Sequence, residues 1–377
     1  MPVIAVVGAN GQVGSEVCLY LRQMPNVRVI PICRSRYASS FLRKCGLKCE
    51  HVELGSAKST QVLTGCDLVA DFSLPKGSPS VVRSAIRKTL TSTIESSDAG
   101  ARVVYISSMM AFGMGTRSTD MRNYAVARTR YGSTKRFGER LLFKLAKAHA
   151  REAYVLRLGQ VHGELQSTTH AIKRHLKNET AYVPRGPSYT VFAFTIAEAL
   201  CRIAEGNERP GLCTLVSEPA WTWREIHEYY FRQAGIEADI VEYDNAEHVK
   251  QTLSRKTFSL ITQPSRAAAM QFLERHREVI SSAFSHLLSK TEQNMAADRL
   301  TRNAANEISA LIASERYQPY EPFQGVIPGR RLTSITDSRL TMEPLATKVR
   351  EVIRNVTHSQ PLIDSEQVMC AAVECIK

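Results

Sequence analysis

The first 165 residues alternate short apolar runs with longer segments in which apolar residues recur every three or four positions. The short runs predict strands, and the longer periodic segments predict amphipathic helices. The predicted strands are 3–7, 28–32, 67–72, 102–107 and 153–158. The predicted helices lie near 12–23, 78–97 and 131–149. This alternation predicts an α/β fold with a doubly wound parallel sheet, which binds ligands at the carboxyl ends of its strands.

The rest of the chain departs from this pattern. Residues 166–245 are mixed and predict a small substrate-binding subdomain, with helices from Ala193 to Glu205 and from Thr222 to Ala234. Residues 246–377 predict a mainly helical extension, because amphipathic spacing recurs at Val279–Leu288, Leu300–Ile312 and Leu345–Val356. A loop rich in Pro, Gly and Tyr, from Tyr317 to Gly329, separates the last two. We expect the extension to pack on the first domain, 1–165, or on a second subunit, which leaves a homodimer open.

The net charge of +13 is unevenly distributed along the 377 residues. Residues 1–245 carry a net charge of +10, and residues 246–377 carry +3. The excess lies where a phosphate-bearing small molecule would bind. A basic surface also fits nucleic acid, but basic runs interleaved with aromatic residues are absent, so no nucleic-acid partner is expected.

Several classes of protein are disfavoured. No apolar run is long enough to cross a bilayer, so no membrane partner is expected. The chain opens on a predicted strand rather than a signal peptide, which predicts a cytoplasmic protein. The nine cysteines do not have the spacing of zinc ligands, so we expect reduced thiols and no metal.

A glycine motif follows the first predicted strand and opens a helix. Its glycines permit a tight turn and close approach of the backbone to a pyrophosphate, and the helix N-terminus offers free N–H groups to the phosphates. In this position the motif is typical of a Rossmann-like dinucleotide site. The residues predicted to bind the cofactor here are Gly8, Asn10, Gly11, Gln12, Val13 and Gly14.

The end of the second strand indicates which dinucleotide is bound. NAD sites usually place an acidic residue there to bond the ribose 2′-hydroxyl, whereas this chain has Arg34, Ser35 and Arg36. Arginines would form charge-assisted hydrogen bonds with a 2′-phosphate. We therefore expect NADP rather than NAD, although both arginines are also compatible with a solvated surface. Ser73, at the end of the third strand, is expected near the middle of the cofactor.

Tyr131 and Lys135 are the candidate catalytic pair. Their i, i+4 spacing places both on one face of a helix. A nearby ammonium favours the phenolate, so we expect Lys135 to lower the pKa of Tyr131. Ser108, which ends the fourth predicted strand, is placed to bond the reacting oxygen of a substrate. A serine at a strand end also commonly caps the following turn, and Tyr–Lys spacing occurs by chance.

In their order and spacing, four segments resemble the extended short-chain dehydrogenases/reductases, a family that includes nucleotide-sugar epimerases, dehydratases and reductases. The resemblance covers residues 1 to about 245. It rests on Gly8–Gly14, Ser107–Gly113, Tyr131–Lys135 with Glu139, and Leu156–Gly163. It implies that Tyr131 exchanges a proton with the substrate, that Lys135 holds the nicotinamide ribose, and that Ser108 orients the substrate oxygen.

Dehydration is not expected, because Ser108-Met109-Met110 stands where dehydratases of this family carry Thr-Asp-Glu. An NADP-dependent carbonyl reductase is the first hypothesis, a sugar epimerase the second, and a non-enzymatic NADP-binding scaffold or sensor the third. The substrate is left open between a nucleotide sugar and another small ketone. Candidate substrate-binding residues besides Ser108 are Arg157, His162 and Arg185.

Overall fold

The computed structural model describes residues 1–36, 38–75, 77–112, 130–169, 172, 180–237, 239–243, 330–333 and 338–357. The strands are β1 (Val3–Val7), β2 (Arg28–Cys33), β3 (Glu50–His51), β4 (Leu68–Asp71), β5 (Arg102–Ser108), β6 (Ala153–Leu158), β7 (Gln160–His162), β8 (Thr180–Pro184), β9 (Thr190–Phe192), β10 (Gly211–Val216), β11 (Asp239–Tyr243) and β12 (Arg330–Thr333). The helices are α1 (Gln12–Gln23), α2 (Ser40–Lys44), α3 (Ala57–Leu63), α4 (Pro79–Ser96), α5 (Arg130–Ala148), α6 (Ala193–Ala204), α7 (Trp223–Gln233) and α8 (Ser338–Thr357).

Eight parallel strands form the central sheet, in the order β12-β10-β6-β5-β4-β1-β2-β3. From β1 the chain adds β2 and β3 on one side of the sheet. It then crosses back and adds β4 on the other side of β1. This reversal confirms the predicted Rossmann-like fold. In such sheets it creates a crevice at the carboxyl ends of the central strands.

Helices cover both faces of the sheet because the strands are apolar on both sides. On one face α1, α6 and α8 contribute to a large core. On the other, α4 and α5 pack over β5 and β6. Gly138 permits the close approach of α5, since a Cβ at this position would overlap the Tyr105 ring.

The five strands and three helices predicted in the first 165 residues are present, as are the helices predicted at 193–205 and 222–234. The sequence pattern did not indicate β3, which has two residues, or β12, whose place in the sheet depends on pairing with β10. The predicted helix at 345–356 lies within α8. The other predicted tail helices, 279–288 and 300–312, and the loop 317–329 lie outside the described residues.

The chain divides into two compact units at boundaries that differ from the predicted ones. The first contains residues 1–176, 187–234 and 323–377, and the second contains 177–186 and 235–322. Most of the predicted substrate subdomain therefore joins the Rossmann body, because β10 pairs with β6 and α6 packs on the sheet. The second unit contains the parallel pair β8 and β11.

Three findings concern membrane-spanning helices, the cysteines and metal-binding groups. None of the helices in the described ranges is both long enough and apolar enough to cross a bilayer. The seven cysteines placed by the structure are free thiols. Among those same ranges, His, Cys, Asp and Glu side chains nowhere form a group of three that would hold a metal ion.

Candidate active site

The glycine motif forms a tight turn between β1 and α1. Gly8 has a φ of +72°, and a Cβ there would stand 2.8 Å from the Ser73 nitrogen. A Cβ at Gly14 would stand 2.8 Å from the Gly8 carbonyl oxygen. Gly11 is the N-cap of α1, and its position provides no side-chain cap for the first N–H groups. This compact, uncapped turn fits a dinucleotide pyrophosphate.

The other residues of this turn lie where the sequence predicts. Gly11 is exposed, and Asn10, Gln12 and Val13 are half-buried. Ser73 lies beside Gly8 at the end of β4, and its amide donates to the Asp71 Oδ1 over 2.8 Å. The structure therefore brings the predicted pyrophosphate and mid-cofactor residues together at one edge of the sheet.

Arg34, Ser35 and Arg36 follow β2, the strand next to β1, and all three are exposed. The Ser35 hydroxyl accepts from the Ala38 amide at 3.1 Å, which fixes the turn. No carboxylate lies among residues 33–36. The strand end thus presents positive charge where an acidic residue would bond a 2′-hydroxyl.

Tyr131, Lys135 and Ser108 lie together at the carboxyl edge of β5. The Ser108 side chain lies near the Tyr131 hydroxyl and accepts from the Met110 amide at 3.2 Å, and Tyr131 is 41% exposed. Lys135 is 4% exposed, and its Nζ donates to the Ile106 carbonyl at 2.8 Å. The same Nζ is 5.9 Å from the centroid of the Tyr131 ring.

The protonation state of Tyr131 differs from the prediction. Partial burial raises its pKa above the ordinary value of 10.0, and the hydrogen bond with Ser108 opposes this rise. The predicted lowering by Lys135 was wrong for this structure, because the ammonium is directed to the Ile106 carbonyl. Burial also lowers the pKa of Lys135 to about 8, against the opposing charges of Asp71 and Glu139. Tyr131 consequently retains its proton at neutral pH.

Arg157 does not face a ligand site. It is 1% exposed, and its Nε and Nη2 donate to the two oxygens of Glu139 at 2.8 and 2.6 Å. The Ser107 hydroxyl donates to the same carboxylate at 2.5 Å. The predicted role of Arg157 in substrate binding is corrected accordingly: this guanidinium joins α5 to β6 beneath the candidate catalytic residues.

His162 and Arg185 lie in different surroundings. His162 is fully buried, stacks on Tyr230 with ring centroids 5.7 Å apart, and pairs its Nδ1 with the Thr169 hydroxyl at 3.3 Å. Burial lowers its pKa to about 3, so the ring is neutral. The predicted role of His162 in substrate binding is corrected to packing. Arg185 is exposed and belongs to the second unit.

Asp71 is a site residue that the sequence pattern does not single out. It ends β4 and is 1% exposed, and the positive charge of Lys135 favours its ionised form. The available signal was a carboxylate closing an otherwise apolar strand, at the edge where parallel strands collect their functional side chains.

Comparison with known proteins identifies a matching family model for the N-terminal part of the chain. The model of the NAD dependent epimerase/dehydratase family matches residues 4–184. The matched residues are just under half of the chain. The match confirms the resemblance to extended short-chain dehydrogenases/reductases, which are NAD(P)-dependent enzymes.

Individual relatives are distant. A spore coat polysaccharide biosynthesis protein, SpsK from Bacillus subtilis, is 23% identical over 266 residues, covering 70% of this chain and 89% of the relative. A UDP-glucuronic acid 4-epimerase from Bacillus cereus, solved with NAD, is 15% identical with a TM-score of 0.50, covering 64% of this chain and 87% of its own. A protein called gox2253 has a TM-score of 0.50 at 16% identity, covering 69% and 83%. The two structures support the fold alone.

Proposed function

We infer that this protein is an NADP-dependent reductase of a carbonyl group on a nucleotide sugar. The observation that carries this proposal is that Tyr131 and Ser108 lie together at the carboxyl edge of β5, with the Nζ of the buried Lys135 5.9 Å from the Tyr131 ring. A substrate oxygen at the open side of Tyr131 would meet two hydroxyl groups. Such preorganised donors stabilise the oxyanion that develops during reduction.

The proton on Tyr131 suits the reductive direction of this reversible reaction. Because partial burial raises its pKa, Tyr131 acts as a general acid that donates to the carbonyl oxygen. Ser108 orients that oxygen, and Lys135 stays fixed on the Ile106 carbonyl. When bound, the nicotinamide supplies the hydride.

NADP is favoured over NAD by the two arginines after β2. Arg34 and Arg36 are exposed there, and a 2′-phosphate would bond them with charge assistance. The structural neighbour from Bacillus cereus holds NAD, so the preference rests on the residues of this chain.

The substrate class is supported by the relatives. SpsK is named for polysaccharide biosynthesis, and the Bacillus cereus neighbour for UDP-glucuronic acid. We extend a nucleotide-sugar substrate to this chain. Homodimer formation and a cytoplasmic location stay predictions.

An epimerase is the second candidate, favoured by the matching family model. The same Tyr131 would exchange the proton of the sugar hydroxyl, while the bound nicotinamide would accept the hydride and return it to the other face of the ketone. A protein that is purified with bound cofactor, and interconverts sugars with none added, would support this candidate over the reductase.

The cofactor preference is tested by fluorescence titration with NADPH and NADH. We expect NADPH to bind roughly ten- to a hundredfold more tightly, since losing charge-assisted bonds costs a few kcal/mol. Arg34→Ala should narrow the gap in affinity, whereas Arg28→Ala, at the exposed opposite end of β2, should not. Equal affinities in the wild type, or tighter NADH binding, would reject NADP.

The catalytic role is tested with Tyr131→Phe, NADPH and a panel of keto-sugar nucleotides. Turnover should be abolished while NADPH affinity stays near the wild-type value, because only a hydroxyl is lost. Lys135→Met should damage both. Tyr154→Phe is the matched control, since that hydroxyl bonds the Glu208 carbonyl at 3.0 Å, beyond the amino end of β6. Near-wild-type turnover by Tyr131→Phe would show that the mechanism is wrong.

A further inference from the structure

Asp71 is a buried carboxyl group with one oxygen in use. Its Oδ1 accepts from the Ser73 amide at 2.8 Å. Its Oδ2 is buried and has no hydrogen-bond partner among the described residues. Burying a carboxylate costs free energy unless a nearby cation offsets the cost. Burial raises the pKa of Asp71, and the positive charge of Lys135 opposes that rise.

Lys135 is the cation that this carboxyl group faces. Asp71 and Tyr105 are register partners on β4 and β5, so their side chains project from the same face of the sheet. The Lys135 Nζ is 5.1 Å from the centroid of the Tyr105 ring. The ammonium therefore rests on the ring that neighbours Asp71, with the Ile106 carbonyl as its direct acceptor.

Glu139 is the other carboxylate acting on Lys135, and it comes from the same helix. Both of its oxygens bond the Arg157 guanidinium, and one also accepts from Ser107. Its charge is thus largely neutralised by Arg157. Among the described residues, Tyr105 and Tyr131 also lie beside the ammonium, and each is neutral while it keeps its proton.

We propose that Asp71 is a positioning residue that keeps Lys135 a cation over the Tyr105 ring and thereby sets the pH range in which Tyr131 and Lys135 work together. The proposal rests on the proposed function of that pair. Asp71 acts through Lys135 and touches neither substrate nor cofactor. When the charge of Asp71 is removed, the buried ammonium of Lys135 loses one of the two carboxylates that act on it. The other, Glu139, is already neutralised by Arg157. Lys135 therefore gives up its proton at a lower pH.

The direct test is the titration of Lys135 in the full-length protein without cofactor, followed by NMR of ¹³Cε-labelled lysine and assigned with Lys135→Met. Asp71→Asn keeps the side-chain shape and the acceptor for Ser73 but removes the charge. We expect it to lower the midpoint of Lys135 by about one pH unit or more, as for a nearby opposite charge. An unchanged midpoint would overturn the proposal.

Asp67→Asn is the matched control. Asp67 directly precedes β4, is exposed, and likewise accepts from a backbone amide, that of Val3 at 2.7 Å. Its replacement should leave the Lys135 midpoint where it is in the wild type. An equal shift in both variants would show a general electrostatic effect and overturn the specific role of Asp71.

A second measurement does not require Asp71→Asn to fold. Coupling between two sites is reciprocal, so Lys135→Met should raise the midpoint of Asp71, followed by its carboxyl ¹³C signal. An Asp71 midpoint unmoved by Lys135→Met would also overturn the pairing.

The pH dependence of NADPH binding adds a functional arm. Affinity should begin to fall about one pH unit earlier in Asp71→Asn than in the wild type, because the ammonium that contacts the cofactor is lost sooner. If Tyr131→Phe retains turnover while Asp71→Asn still lowers the Lys135 midpoint, the proposed function fails and the pairing stands. If Tyr131→Phe is inactive and the midpoint is unmoved, the pairing fails and the proposed function stands.

Discussion

Glu16, on the buried face of α1, offers a test of how the protein interior carries a charge. It is fully buried, and its carboxylate accepts three hydrogen bonds: from the amides of Glu164 and Leu165 at 2.7 and 3.0 Å, and from the Gln166 side chain at 2.8 Å. These donors favour the ionised form. Burial nevertheless outweighs them and raises the pKa from 4.5 to about 7.

The perturbation is Glu16→Gln. Since the folded protein binds this proton more tightly than the unfolded chain, the stability that Glu16 contributes is greatest at low pH and is lost as the pH rises from 4.5 to about 7. Between pH 5 and pH 8 the loss amounts to about 2.5 kcal/mol for that shift. Glutamine does not titrate and does not lose this stability. Between pH 5 and pH 8 the free energy of unfolding of Glu16→Gln should therefore rise, relative to that of the wild type, by the same amount. Any hydrogen bond lost to glutamine, about 1–3 kcal/mol, adds a constant offset.

The assay is urea unfolding at both pH values, followed by tryptophan fluorescence. The chain has two tryptophans, Trp221 and Trp223, and both are buried in the unit that contains Glu16. Glu95→Gln, an exposed change on α4, is the control and should follow the wild type. Parallel curves for wild type and Glu16→Gln would refute the reasoning. A wild type that gains stability relative to Glu16→Gln as the pH rises would show that the three donors outweigh burial.

Two further predictions concern stability and the tail. Glu139→Gln should cost about 3–5 kcal/mol in urea unfolding, because it leaves the Arg157 guanidinium buried without its counter-ion. Glu139→Leu combined with Arg157→Met should recover much of that loss, and a single change costing under about 1 kcal/mol would contradict the buried pairing. A chain ending near residue 245 should bind NADPH but aggregate in gel filtration, because Val349 and Ile353 of α8 are core residues. A stable, fully active truncation would show that the tail is dispensable for folding and activity, which would contradict the packing role.

Much of the Rossmann body was predictable because its signals are local. Apolar runs such as Val3–Val7 and Ala153–Leu158 are buried along their length, and the glycine turn lies directly between a strand and a helix. The place of β12 at the end of the sheet was not predictable in this way. It pairs with β10 across more than a hundred residues of chain, and no local pattern encodes a partner at that distance.

Arg157 shows how a local interpretation of a charged residue fails. It stands between Leu156 and Leu158 in a strand that is buried on both faces, so a cation there needs an internal partner. Glu139 lies one helical turn after Lys135, on the face of α5 that meets the sheet. A carboxylate and an arginine, each on a buried face of neighbouring elements, predict an ion pair more directly than they predict a ligand site. The pattern contained both residues, but their pairing needs the packing of α5 on β6.

The direction of the Tyr131 pKa shift likewise depends on how α5 packs on the sheet, which the local sequence pattern does not give. The i, i+4 spacing correctly predicts that Tyr131 and Lys135 share a helix face, but it does not state where the ammonium points. In the folded chain that direction is set by the Ile106 carbonyl and the Tyr105 ring, both supplied by β5. Desolvation then dominates the pKa of each partner, raising that of Tyr131 and lowering that of Lys135. A protonated phenol beside a buried cation can donate a proton, which is the role that the proposed reductase requires of Tyr131.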